Sequence, residues 1–284
     1  MASLTSSPPP QKNTATPFTF SLMTYNLWKT QGKATAWEVR RPILLNQLQK
    51  LDPDVLLVQE LCPDIHDCIM EALPNHNYVT DPSVTGWAVE GNIYYRRSVF
   101  SEIEHGAEDI HQEEENRRLF WIRLQVDDNT QQTLFFSTAH FTWQGHPKER
   151  ESDINLRKVQ SKNTIGCLEQ LKQDNQVQFF GGDLNESFWP KRILEGAGFI
   201  DCFSALGLPC IPTHPNRSSL AHEEVNADAA LDWLFAKGHN VKPLLASVIK
   251  NMTGLSSDDP DERYRLAVVP SDHCPVLSVY RINW

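Results

Sequence analysis

The sequence predicts an α/β protein in which two sheets pack together with helices outside them. Three observations carry that expectation. Apolar runs of strand length recur along the chain, as in Val55–Val58 (VLLV) and Val177–Gly182 (VQFFGG). Helix-spaced stretches such as Trp37–Leu51 separate some of them. Elsewhere two runs, Leu119–Val126 and Thr133–His140, follow each other across a short polar turn with no helix between, which predicts antiparallel neighbours.

The elements follow in chain order. Residues 1–16 are rich in Ser, Thr and Pro and are expected to be a disordered tail. No composition break marks a linker beyond it, so one domain is expected over 17–284. Phe18–Asn26 (FTFSLMTYN) alternates Phe18, Phe20, Leu22 and Thr24 on one face and reads as a strand. Its final Asn26 is either a turn residue or a neutral amide beside a metal or phosphate. Trp37–Leu51 carries Leu44, Leu45, Leu48 and Leu51 at helical spacing, with Pro42 expected in the first turn. Val55–Val58 is a buried strand ending at Gln59-Glu60. A carboxylate there is either a surface glutamate at the strand's exit or one that is paired or metal-bound. Cys62–Leu73 reads as an amphipathic helix and Gly91–Arg97 as a strand. Arg96 and Arg97 would be a solvated edge or would face phosphate.

Ser101–Arg118, with Glu113-Glu114-Glu115, is expected to be a solvated loop or hairpin. The strand Thr133–His140 ends in a histidine, a residue most often structural when alone. Lys148, Arg150, Arg157 and Lys158 then cluster ahead of and within a helix over Leu156–Leu171, and are the best candidate for a substrate-facing basic rim. Val177–Asn185 (VQFFGGDLN) reads as a buried strand that stops at two glycines and presents Asp183 and Asn185. A carboxylate suited to taking a proton from water stands two residues from an amide suited to holding a phosphoryl oxygen. A short helix capped by glycine is expected over Lys191–Gly198, and a loop over Gly207–Asn216. Leu231–Phe235 is a strand in which Asp232 needs a partner, most naturally a histidine cation. Lys250–Arg265 is expected to be a surface loop, Pro270–His273 a turn and Val276–Tyr280 a last strand.

Composition bounds the function. The 284 residues are 40% apolar and 22% charged, as in ordinary globular proteins. A net charge of −10 and a pI near 5.5 argue against a uniformly basic nucleic-acid grip, and acidic residues around a site would attract divalent metal. The six cysteines form no CxxC pair, so no zinc ribbon is expected and reduced thiols are the default. No window approaches the ~18 apolar residues of a membrane span, and the N-terminus has no secretory pattern. An intracellular protein, cytoplasmic or nuclear, is therefore expected.

Asn26, Glu60, His140, Asp183, Asn185, Asp232, Asp272 and His273 all fall at or near strand ends. Such a set is expected to converge at one edge and contains what phosphoester hydrolysis needs. Glu60 can bind a hard divalent cation by oxygen. Asp183 can align and deprotonate water, and Asp232 can orient His273 and raise its basicity.

Six motifs, TYN at 24–26, VQE at 58–60, AH at 139–140, GDLN at 182–185, LDWLF at 231–235 and PSDH at 270–273, closely resemble, in this order, those of the endonuclease/exonuclease/phosphatase superfamily. The resemblance implies a four-layered α/β/β/α sandwich, a Mg2+ or Mn2+ cofactor and a metal-dependent hydrolase. It implies Glu60 as principal metal ligand, with Asn26 and Asp272 beside the metal. It places Asp183 and Asn185 on the water, and His140 and His273, the latter paired to Asp232, on the scissile phosphate. The subfamily stays open between deadenylase-like and tyrosyl-DNA-phosphodiesterase-like enzymes acting on nucleic acid or a nucleotide-like ester. Two alternatives remain: a lipid or small-molecule phosphoesterase of the sphingomyelinase kind, compatible with Trp87, Trp143 and Trp189, and a non-catalytic binding protein on the same fold.

Overall fold

The computed structural model describes residues 16–30, 36–127, 132–214, 229–250 and 269–284. The expected tail, the turn at 127–130 and the loops after 214 and 250 lie wholly or largely outside these residues.

Two six-stranded sheets form among the described residues. The first runs β11 (Val241–Val248), β12 (Val276–Ile282), β1 (Phe18–Asn26), β2 (Val55–Gln59), β4 (Gly91–Arg96) and β3 (His76–Tyr78). The second runs β5 (Phe100–Glu108), β6 (Leu119–Val126), β7 (Thr133–His140), β8 (Val177–Asp183), β10 (Asp232–Lys237) and β9 (Ile200–Asp201). Each sheet has one parallel pair, β1–β2 and β7–β8, and is otherwise antiparallel. The helices are α1 (Trp37–Leu51), α2 (Pro63–Ala72), α3 (Gly86–Val89), α4 (Pro147–Ser152), α5 (Leu156–Leu171), α6 (Trp189–Gly196) and α7 (Cys202–Ala205).

Strand periodicity builds the layers. On β1 and β2, Phe20, Leu22, Val55 and Leu57 point into the space between the sheets, while Met23, Tyr25, Leu56 and Val58 point the other way, against Leu44, Leu48, Ile65 and Ile69 of α1 and α2. On β7 and β8, Phe136 and Phe179 join the inter-sheet core, while Phe135 and Phe180 pack outward with Leu168 of α5 and Leu194 of α6. Three apolar cores between four layers are the α/β/β/α sandwich expected. The central core is aromatic: Phe20 meets Phe136 and Phe179 edge-on, with centroids 5.7 and 5.3 Å apart.

Several local expectations need correction. Pro42 is the sixth residue of α1, because the helix already starts at Trp37, so it removes an internal hydrogen bond rather than a spare N–H. The polar segment after residue 100 is the hairpin alternative: β5 pairs antiparallel with β6, its exposed face carrying the charge. The helix expected from Lys191 begins at Trp189. Strand β11, for which no strand pattern was evident, contains Pro243. It is tolerated because β11 is an edge strand and its register shifts between Pro243 and Leu245.

Candidate active site

The site lies where the two parallel pairs end. In β1–β2, Asn26 pairs with Gln59, so Asn26 and Glu60 emerge together; in β7–β8, His140 pairs with Asp183. Strand β10 runs the opposite way and starts where β8 stops, which sets Asp232 beside Asp183. Gly182 makes the β7–β8 approach possible: a Cβ there would lie 2.0 Å from the Ala139 carbonyl oxygen. Beneath the site Gln59 Nε2 donates to Thr138 Oγ1 at 2.7 Å, tying one sheet to the other. Trp28, Glu60 and Asn185 all take left-handed backbone, with φ of 51°, 55° and 50°. Such conformations concentrate where a chain must turn to aim side chains.

Asp183, 1% exposed, is the hub. Its Oδ2 accepts from Asn26 Nδ2 at 2.9 Å and lies 3.4 Å from His140 Nε2 and 3.6 Å from His273 Nε2. Its Oδ1 accepts from the Asn185 N–H at 2.9 Å. Asn26 Nδ2 also donates to Glu60 Oε1 at 3.1 Å, so one amide group clasps two carboxylates. His273 Nδ1 meets Asp232 Oδ2 at 2.8 Å, and Thr213 Oγ1 donates to the same oxygen at 2.6 Å. Asp272 lies by His273, their ligand atoms within 4.8 Å.

The electrostatics divide the two histidines. Burial and the Asp232 charge raise the Asp183 carboxyl to about 6, against the pull of His273, Asn26 and the Asn185 N–H. Burial alone would depress His273, but the charges of Asp232 and Asp183, the Asp232 hydrogen bond and Glu60 raise it to about 9. Burial drives His140 well below the usual imidazole range, helped by Arg117, charged His273 and Lys29. At neutral pH one imidazole is a cation and the other is neutral, the separation that acid–base chemistry uses.

One consequence is testable without turnover. Asp232→Asn should lower the His273 pKa from about 9 toward the ordinary imidazole range, as read by histidine NMR titration of metal-free protein. Because the folded value is raised, His273 contributes stability that is complete below the unfolded imidazole pKa and is lost as pH rises through about 9. The stability gap between wild type and variant should therefore close across that window.

Two buried features fit a divalent cation. Asp232 Oδ1 has no hydrogen-bond partner, and Asp183, whose pKa is raised first by burial and then by the Asp232 charge, stands beside it. The oxygens of Glu60 and Asp272 are hard donors suited to Mg2+ or Mn2+. Asn26, an expected ligand, turns its NH2 to the carboxylates while its Oδ1 accepts from the Trp28 N–H at 3.0 Å. Ligation through Oδ1 would use that oxygen's second lone pair beside this bond. Asn185, expected to hold a phosphoryl oxygen, donates through Nδ2 to the Phe141 carbonyl at 2.8 Å.

The expected basic rim forms only in part, with Arg150 exposed and the other three cations engaged by neighbours. Arg157 is 1% exposed and bonds to Glu186, Glu149 and the Thr142 carbonyl. Lys148 pairs with Glu113, and Lys158 sits over the Trp189 ring. Arg96 is held by Asp52 and Asp54. Lys29 and Arg117, both beside Glu90, act electrostatically on His140. Trp87 is buried, while Trp143 and Trp189 are exposed. Sequence reasoning also missed Ser271, whose Oγ donates to the Asn26 carbonyl at 2.7 Å, and Thr213; neither carries a local signal. Arg40 had one, since it lies on the buried face of α1 with Leu44, Gln47 and Leu48.

No protein-family model and no curated protein matches the sequence. Solved structures do match in fold. An endonuclease/exonuclease/phosphatase family protein from Bacteroides thetaiotaomicron superposes with TM-score 0.74 at 18% identity, over 94% of this chain and 99% of that one. A mannosyl-6-phosphatase from the same organism gives TM-score 0.70 at 19% identity, over 91% and 98%. D. rerio TDP2 complexed with a single-strand DNA product gives 0.66 at 18% identity, over 92% and 98%. Among the described residues no helix is long and apolar enough to cross a membrane. With two six-stranded sheets, three apolar cores and these neighbours, the chain has the endonuclease/exonuclease/phosphatase fold.

Proposed function

We propose that this chain, as one catalytic domain from residue 17 onward, is a divalent-metal-dependent phosphoester hydrolase. Its proposed substrate is a phosphodiester of nucleic acid or a nucleotide-like ester. The observation that carries this reading is the convergence on Asp183 of Asn26, His140 and His273, with Asp232 behind His273.

Each residue has work that its position suits. Ionised Asp183 orients a water and accepts its proton; a carboxyl near 6 is ionised at neutral pH yet basic enough to matter. The attacking oxygen bonds to phosphorus, the ester P–O bond breaks, and the leaving alkoxide takes a proton from solvent. Charged His273, oriented by Asp232, donates through Nε2 to a phosphoryl oxygen as negative charge builds there. Neutral His140 approaches the same Asp183 oxygen as His273 and faces the scissile phosphate, and Asn26 holds the carboxylates in register. Glu60 and Asp272, with Asn26 through the second lone pair of its Oδ1, would hold Mg2+ or Mn2+. When bound, that cation supplies Lewis-acid polarisation of the phosphoryl oxygen.

TDP2, among the fold neighbours, was solved with single-strand DNA product, which supports the diester reading. A second reading, a sugar-phosphate or lipid phosphoesterase, is favoured by the pairing of Arg157 and Lys148 with glutamates. Purified full-length protein should release nitrophenol from bis(p-nitrophenyl) phosphate with Mg2+ or Mn2+, lose that activity in EDTA and regain it when metal is returned. Undiminished turnover in EDTA would overturn the metal dependence. Parallel assays on single-stranded DNA, poly(A), a 5′-tyrosyl end, sphingomyelin and mannose 6-phosphate separate the two readings.

A further inference from the structure

A second histidine stands against His273 and takes no part in the chemistry above. The ring centroids of His214 and His273 are 4.7 Å apart, with planes tilted by 60°. The backbone holds His214 there from two sides. Thr213 and His214 N–H groups both donate to the Ala229 carbonyl at 3.0 Å, and the Cys274 N–H donates to the Thr213 carbonyl at 2.7 Å. The second strap ties the residue before His214 to the residue after His273.

We propose that His214, Asp272 and His273 form a binding site for a divalent transition metal of the Zn2+ class. Their ligand atoms already lie within 4.8 Å of one another. Tetrahedral ligation at about 2.0–2.1 Å would draw them together by roughly 1 Å each, within the reach of side-chain adjustment. With Nδ1 of His273 on Asp232, the metal-facing atom is Nε2, and the carboxylate behind the imidazole orients it as outer-shell carboxylates orient metal-ligating histidines. Two imidazoles and one carboxylate select Zn2+, Co2+ or Ni2+ over Mg2+, which takes oxygen ligands and keeps its waters. Binding places the Nε2 lone pair on the metal, and the proton held there leaves to solvent.

Such a site would occupy Asp272 and His273, both needed under the function proposed above. On that reading Zn2+ is an inhibitor of the Mg2+-supported reaction, and His214 is what makes the inhibition tight.

The test titrates Co2+ into metal-free, full-length protein and follows visible d–d absorption. Wild type should give saturable bands of the low-symmetry, tetrahedral type. His214→Ala and His214→Gln should weaken Co2+ binding by more than roughly 100-fold, beyond the range for losing an outer-shell partner. Their unfolding temperatures report whether the fold survives, and the glutamine variant keeps much of the side-chain volume. Both variants should retain Mg2+-supported hydrolysis while losing Zn2+ inhibition. Absence of the bands in wild type, or unchanged Co2+ affinity and spectrum in both variants, would overturn the site. The absorption needs no turnover. A protein that binds Co2+ through His214 yet hydrolyses no phosphoester refutes the function and leaves the metal site standing; active protein without bands does the reverse.

Discussion

Asp183→Asn should reduce phosphodiester hydrolysis by roughly 10²–10⁴-fold, the range that a positioned general base contributes. The amide keeps the size of the side chain but cannot take a proton from water. Its effect on the fold should have the opposite character. The Asp183 carboxyl is 1% exposed and titrates near 6, above its unfolded value. Being raised, it favours the folded state below the unfolded carboxyl pKa, and that contribution is lost as pH rises through about 6. Above that pH, metal-free wild type carries a buried charge at a cost that asparagine does not bear. The variant must still place an NH2 among donors, since Asn26 and the Asn185 N–H both point at residue 183. The two effects oppose, and the unfolding temperature should stay within about 5 °C of wild type. Steady-state rates on bis(p-nitrophenyl) phosphate and a thermal melt check both halves. Wild-type turnover in a folded variant would remove Asp183 from the mechanism.

Arg40→Ala should destabilise the fold by about 3–5 kcal/mol, lowering the melt by roughly 10 °C, and abolish activity with it. Arg40 is fully buried on α1 and pairs with no carboxylate among the described residues. Its guanidinium donates instead to the carbonyls of Trp28, Lys29 and Pro270 at 2.8, 2.7 and 2.9 Å, with Leu27 at 3.4 Å, and lies over the Trp28 ring. It thus joins the segment leaving Asn26 to the turn that delivers Asp272 and His273, 230 residues away in sequence. Alanine leaves these carbonyls without their donor. Arg40→Lys should not restore the protein, because a single ammonium cannot span the same acceptors with a planar fork. Calorimetry and rate measurements on both variants check the claim, and a lysine variant with wild-type melt and rate would contradict it.

Much of the fold was legible because layers impose local periods. Alternating residues in β1, and the apolar runs of β2 and β8, follow from sheets covered on both faces. The glycines at 181–182 do not end the strand as expected: β8 runs through both to Asp183, and Gly182 serves instead the close approach of the Ala139 carbonyl. Where the partner was distant in sequence, local reading ran out. Arg157 looks like a free cation until Glu149 and Glu186 close on it. Arg40 sits on an apolar helical face that its charge disguised. Strand β11 carries Pro243, which only its place at the sheet edge allows.

By itself the sequence determined which polar residues stand at strand ends, because alternation and apolar runs are properties of neighbours along the chain. Only the tertiary structure decided what those residues are chemically. Asp232 becomes the partner of His273 across 41 positions and Asn26 that of Asp183 across 157, while burial makes one histidine a cation and the other neutral. Charge state depends on desolvation and on distances between groups, and no linear pattern encodes either.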